Sequence, residues 1–195
     1  MTSQLALLDA GLRDSAVGEY VATPPWFVNA ILATADLRPW NRRILDAGAG
    51  LGEIGWAVAR WSREWGQEKP LLTGLELFPD RVAALPRGVY REVIQEDLLD
   101  WVDGRKWPLI LTNPPFSLWK QWLDALRPQL SSGGSLFCVL PWEYCSRAEA
   151  WWRAHPARRI YRTARRPWKV ETREVCWVEF RSAWTGQTSL RWLDR

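Results

Sequence analysis

The chain has little of what marks several large protein classes. No apolar run is long enough to cross a bilayer, and residues 1–10 lack the basic start and long apolar stretch of a secretory leader. A soluble, cytoplasmic protein with no membrane partner is therefore expected. There is one histidine, His155, and only three cysteines, Cys138, Cys145 and Cys176, with no closely spaced pair. That composition builds neither a disulfide framework nor a zinc site, so the cysteines read as buried, reduced thiols and no metal is expected. Lysine is scarce too, since 22 of the 26 basic residues are arginine. No internal repeat, low-complexity tract or linker divides the sequence.

What is present suits one enzyme-sized domain. The 195 residues can bury a core beneath six or seven strands but leave no room for a second full domain. The expectation is a single domain over 1–195, with residues 1–40 as an N-terminal helical segment. Sixteen tryptophans are unusual, and most should be core or half-buried surface. The net charge of +4 conceals an asymmetry: residues 147–173 carry +7 and the remainder −3. Such a concentration suits either a solvated face or a surface that meets a polyanion.

Strand and helix patterns alternate, which predicts an α/β fold with a mostly parallel sheet covered on both faces. Strands are expected at 43–46, 71–75, 90–94, 109–112, 135–140, 159–161 and 175–180. Helices are expected at 26–33, after Thr23-Pro24-Pro25, and at 53–65, 79–84 and 147–155, with a further helical pattern in Leu118, Trp122, Leu123 and Leu126. The connection from 162 to 174 is too short to hold a crossover helix, so the last two strands should form an antiparallel hairpin. The result is a seven-stranded sheet with an antiparallel last strand.

Two motifs sit at strand ends. Asp46-Ala47-Gly48-Ala49-Gly50-Leu51-Gly52 joins a strand to a helix, where glycine lets the backbone turn sharply and approach a ligand. Glu76, at the end of the second strand, is placed to accept both hydroxyls of a ribose. A nicotinamide site shares the ribose acid but does not need the leading Asp46. Gln95-Glu96-Asp97 follows the third strand, and Asp97 is read either as a cofactor contact or as a cap on the following turn.

The second motif is Asn113-Pro114-Pro115-Phe116, after the fourth strand, at the edge where open α/β sheets bind ligands. Two prolines hold the backbone extended. An exocyclic amino nitrogen is a poor nucleophile because its lone pair is delocalised into the ring. The Asn113 side-chain oxygen and the Pro114 carbonyl could accept its protons and localise that pair, while Phe116 stacks on a flipped or single-stranded base.

The glycine run and its acids resemble the cofactor motif of class I S-adenosylmethionine-dependent methyltransferases, which have a Rossmann-like fold. Asn113 to Phe116 resembles the catalytic motif of amino methyltransferases acting on adenine N6, cytosine N4, guanine N2 or glutamine amides. The string Leu111 to Leu118 looks most like phage and bacterial DNA adenine-N6 methyltransferases. The resemblance covers residues 20–145 and implies a phage-encoded or bacterial enzyme that uses S-adenosylmethionine and methylates adenine in DNA. It implies cofactor contacts from Asp46, Gly48, Gly50, Glu76 and Asp97, and catalysis by Asn113, Pro114, Pro115 and Phe116. Thr23, in Thr23-Pro24-Pro25-Trp26, resembles the segment that folds over the methionine end of the cofactor in those enzymes. No segment is large enough for the target-recognition domain of restriction-linked relatives, which points to low sequence specificity.

The basic hairpin connection should lie at the same sheet edge as Asn113. Arg162, Arg165, Arg166 and Lys169 would then flank the cleft and contact phosphates, DNA before RNA, while Trp142 and Trp168 either pack or meet the target. The competing readings are an RNA adenine or guanine methyltransferase, a protein glutamine methyltransferase, and a non-catalytic nucleic-acid-binding module of the same fold. An oxidoreductase is a more distant reading.

Overall fold

In a computed structural model, the described residues are 19–35, 43–66, 68–146, 150–168 and 173–193. They form α1 (Pro25–Thr34), β1 (Arg43–Ala47), α2 (Glu53–Glu64), β2 (Leu71–Glu76), α3 (Pro79–Ala84), β3 (Glu92–Gln95), β4 (Trp107–Thr112), α4 (Trp119–Leu126), β5 (Leu130–Pro141), α5 (Trp142–Ser146), α6 (Ala150–Ala154), β6 (Arg159–Arg162), β7 (Val175–Arg181) and β8 (Ser189–Trp192).

The strands form one sheet in the order β3-β2-β1-β4-β5-β7-β6-β8. The pairs from β3 through β5 are parallel, and β7 runs antiparallel to both β5 and β6. The expected terminal hairpin is therefore present. Strand alternation sends neighbouring side chains to opposite faces. Ile44, Leu109, Leu111, Phe137 and Val139 join α1 and α2 in one core. Leu45, Ile110, Leu136, Cys138 and Leu140 join α4 in the other. On α2, Ile54, Ala57 and Val58 form the buried stripe that faces the sheet. Each fully buried aliphatic or aromatic side chain contributes roughly 1.5–3 kcal/mol, and both cores are continuous beneath the strand ends that carry the motifs.

Several expectations are corrected. The third strand begins at Glu92 instead of residue 90, because Tyr90 turns in to bond Asp46. The helix expected at 147–155 is α6, Ala150–Ala154, preceded by the separate turn α5; residues 147–149 lie outside the described set. An eighth strand, β8, pairs parallel with β6. The three cysteines are free thiols, but only Cys138 and Cys176 are buried; Cys145 is half-buried, with its sulfur 3.5 Å from that of Cys176. No helix among the described residues is long and apolar enough to cross a membrane.

Candidate active site

Strand order reverses between β1 and β4, and ligand crevices in open α/β sheets form at such a switch point, outside the strand ends. A cleft of about 190 Å³ lies there, lined among others by Gly48, Ala49, Glu76, Asp97 and all four residues from Asn113 to Phe116. The two motifs are 60 residues apart in the chain, and the pairing of β1 with β4 brings them to one place.

The glycine turn is tied to the end of β2. Gly48 and Ala49 donate their N–H groups to the Leu75 carbonyl at 2.8 and 2.9 Å, and Gly50 N–H donates to Glu76 Oε2 at 2.8 Å. Gly48 and Gly50 have φ of 72° and 57°, a region L side chains rarely adopt. Space forbids a side chain as well: a Cβ on Gly48 would lie 2.6 Å from the Trp122 ring, and one on Gly50 2.5 Å from the Tyr20 ring.

Glu76 is 4% exposed and also accepts from Phe78 N–H, at 3.0 Å through Oε1, with Arg81 3.9 Å from the same oxygen. Asp97 caps the turn after β3 by accepting from Leu99 N–H at 2.9 Å, as one of its two readings has it, and it also lines the cleft. Asp46 lies behind the glycine turn, fully buried, where its Oδ2 accepts from the Tyr90 hydroxyl at 2.6 Å. Burial pushes its carboxyl up to about 7, against the Tyr90 hydrogen bond and with the Glu53 and Glu76 carboxylates adding to the rise.

Asn113 directly follows β4, with its backbone held by the prolines after it. Its side-chain amide donates to the Val21 carbonyl and to Thr23 Oγ1, both at 3.1 Å. A carbonyl can only accept, so Nδ2 must face Val21, and the Oδ1 atom is left to accept elsewhere. Phe116 packs against the core beside α1, and the Arg173 guanidinium lies 4.9 Å from its ring centre.

The basic segment divides. Arg165 lies over the Trp26 ring at 4.5 Å, and both Arg165 and Arg166 are exposed. Arg162 is half-buried and engaged by its neighbours, bonded to the exposed Glu174 at 2.6 Å with its guanidinium 4.2 Å from the Trp142 ring centre and 5.3 Å from that of Trp192. Arg158 is similarly held by the buried Glu179 carboxylate at 2.6 Å. Trp168 is buried and donates its indole N–H to the Ala22 carbonyl at 2.6 Å, which settles it as packing. Lys169 lies outside the described residues.

Sequence reasoning missed four contributors. Glu19 accepts from Ser117 N–H at 3.1 Å, and Tyr20 donates to Glu53 at 2.7 Å. Together they bring residues 19–23 across the cleft. Arg81 sits between the Tyr20 and Phe78 rings, 4.4 and 4.5 Å from their centres. Arg173 lines the cleft and was only counted within the basic segment. The one signal in sequence was the Thr23-Pro24-Pro25 punctuation, which marks where this segment turns into α1.

No family model and no curated protein matches this chain. Its architecture is shared with solved structures. An Agrobacterium tumefaciens protein described as a predicted O-methyltransferase aligns with a TM-score of 0.64 at 20% identity, over 87% of this chain and 85% of the other. A Listeria monocytogenes protein described as a class I S-adenosylmethionine-dependent methyltransferase aligns at 0.70 and 13% identity, over 96% and 72%. A type I restriction-modification methyltransferase subunit from Streptococcus thermophilus aligns at 0.65 and 14% identity, over 86% of this chain and 46% of that one. At these identities the likeness establishes the fold, which is the Rossmann-like fold of class I methyltransferases.

Proposed function

We propose that the protein is an S-adenosylmethionine-dependent methyltransferase acting on an exocyclic amino group, with adenine N6 in DNA as its target. The observation that carries this reading is the meeting of the Gly48 turn and Glu76 with Asn113 to Phe116 around one cleft.

The lining fits the cofactor. Carboxylates from Glu19, Glu53, Glu76, Glu96 and Asp97 outnumber the guanidinium groups of Arg81 and Arg173, which suits a ligand bearing a sulfonium and an ammonium. Leu77, Phe78 and Leu98 offer apolar surface for a purine. Glu76 would hold the ribose hydroxyls, Asp97 the adenine amino group, and Gly48 and Gly50, backed by Asp46, the methionine end. When bound, the cofactor supplies an activated methyl group whose transfer leaves a neutral thioether.

The chain's own contribution is orientation and electrostatics. Asn113 Oδ1 and the Pro114 carbonyl accept the two amino protons of the target, which concentrates the lone pair on nitrogen. The two prolines fix that pair of acceptors, and Phe116 holds the base by stacking. The surplus proton leaves to solvent after the nitrogen carries the methyl group. No strong base is needed, and none is required of the cleft's carboxylates.

Nucleic acid is favoured as substrate by exposed Arg165 and Arg166 on the connection that packs against residues 22–27. DNA is favoured by the Asn113 to Phe116 string and by the fold shared with a restriction-modification methyltransferase subunit. The test is transfer of labelled methyl from S-adenosylmethionine to unmethylated DNA, RNA and a protein extract in parallel, followed by mass spectrometry of the digests. N6-methyladenine in DNA is the expected product. Label in RNA or protein alone would move the substrate, and no label despite tight binding of S-adenosylhomocysteine would favour a non-catalytic module.

A further inference from the structure

We infer that Thr23 is a positioning residue, whose hydroxyl oxygen works with the Val21 carbonyl to hold the Asn113 carboxamide in the orientation that presents its oxygen to the substrate amino group. The inference rests on the amino-methyltransferase reading and gives Thr23 a role other than cofactor contact.

A carboxamide is nearly symmetric in shape, so a half-turn about its last bond exchanges oxygen and NH2 with little steric penalty. The chemistry is not symmetric. With NH2 facing the substrate, donor would meet donor and the nucleophile's protons would find no acceptor. Selection between the two states must come from what lies behind the carboxamide. Two oxygens lie there, Val21 O and Thr23 Oγ1, each 3.1 Å from Nδ2. The half-turn would set the amide oxygen against the Val21 carbonyl, which cannot donate, and lose that bond, while the Thr23 hydroxyl, which accepts from Nδ2 in the productive state, fixes the plane of the carboxamide.

These two acceptors are themselves held. Thr23 is 4% exposed, and the Pro24 carbonyl next to it accepts from Phe27 N–H at 2.9 Å at the start of α1. Ala22 O takes the Trp168 indole proton, Glu19 takes Ser117 N–H, and Tyr20 bonds Glu53. On the other side, Thr112 Oγ1 donates to the Ala47 carbonyl at 2.8 Å and locks the end of β4 to β1. Asn113 is thus clamped between a fixed strand end and a fixed segment. The Val21 carbonyl decides which end of the amide faces the cleft, and the Thr23 hydroxyl holds the carboxamide in place against it.

The experiment compares Thr23→Val, which keeps the shape and removes the acceptor, with Thr23→Ser, which keeps the acceptor. With wild-type methyl transfer established on DNA, Thr23→Val should lower kcat roughly tenfold, as expected for losing one of two hydrogen bonds. The KM for DNA and the affinity for S-adenosylhomocysteine should stay within about twofold, and Thr23→Ser should recover most of kcat. Weakened S-adenosylhomocysteine binding with unchanged kcat would overturn the inference and make Thr23 a cofactor contact. A second readout is independent of transfer. The Asn113 side-chain amide, one of three asparagine amides in the chain, is identified in a nitrogen-15 spectrum by its loss in Asn113→Ala. Thr23→Val should move one of its two protons upfield and hasten its exchange, and Thr23→Ser should not. An unchanged pair would overturn the inference. A shifted pair in a protein that methylates nothing would place the failure in the functional reading and leave the Thr23 link standing.

Discussion

The Tyr90 hydroxyl reaches under the glycine turn to donate a 2.6 Å hydrogen bond to Asp46 Oδ2, while Asp46 Oδ1 is buried with no hydrogen-bonding partner among the described residues. The Tyr90 hydroxyl and the Gly55 backbone N–H do not offset the loss of water around a carboxylate, so the folded protein holds this group protonated up to about pH 7.

That assignment predicts how stability depends on pH. An unfolded aspartate releases its proton near pH 3.9, so between there and about 7 the folded chain holds a proton that the unfolded chain lacks. The contribution of Asp46 to stability is complete below about pH 4 and falls as pH rises through 7. Asp46→Asn should flatten that slope and exceed wild type at pH 8 by up to about 4 kcal/mol. Urea denaturation of both proteins at pH 5 and pH 8 measures it, and parallel curves would show that Asp46 is ionised throughout.

Asn113 and Glu76 should separate chemistry from cofactor binding. Asn113→Ala should cut methyl transfer roughly 10²–10³-fold while S-adenosylhomocysteine still binds. Glu76→Ala leaves Gly50 N–H and Phe78 N–H without their acceptor and should weaken that binding by about 1–3 kcal/mol. Calorimetry with the cofactor product, beside initial rates, tests both, and equal loss of affinity in the two variants would contradict the division.

Replacing Arg165 and Arg166 together by Ala should reduce the slope of log affinity for DNA against log salt by about 1–2. Arg162→Ala should leave that slope unchanged and lower stability instead, because Arg162 is spent on Glu174 and on the rings of Trp142 and Trp192. Binding titrations at several salt concentrations distinguish the two kinds of arginine. Equal slopes for all three proteins would remove the connection from the interface.

Gly50→Ala should destabilise the fold by about 1–2 kcal/mol from backbone conformation alone, with a further loss from contact with the Tyr20 ring. In a Tyr20→Ala background that second part should vanish. Thermal unfolding of the four combinations measures the coupling, and simple additivity would mean that Tyr20 moves aside freely.

The sheet was legible because strand periodicity is a local signal: Ile44 against Leu45, or Leu109 and Leu111 against Ile110, already sort into two faces in the sequence. β8 was not, since all four of its residues are exposed and no burial pattern is written into them. The motif residues of the cleft were legible because each follows a strand end, and topology takes all strand ends of one direction to one edge. Glu19, Tyr20 and Arg81 were not legible. Their places depend on contacts between segments more than 30 residues apart, and nothing in their own neighbourhood marks them. Asp46 shows the reverse difficulty. An acid before a glycine turn reads as a ligand for the cofactor, and only the folded chain reveals that Tyr90 covers it. The basic segment was legible as charge but not as geometry, because a charge count cannot tell an arginine facing water from one closed between two indoles.

The insertion of β4 beside β1, and not beside β3, has a consequence during synthesis. The first three strands can pair as soon as they leave the ribosome, in the order β3-β2-β1, but the outer edge of β1 then waits for a partner made only at residue 112. That edge belongs to a strand buried over four of its five residues, and an unpaired apolar edge is a template for pairing with another chain. The nascent protein therefore carries an open apolar edge on β1 until residue 112, and the arrival of β4 covers that edge in the same step that first brings Asn113 to the glycine turn.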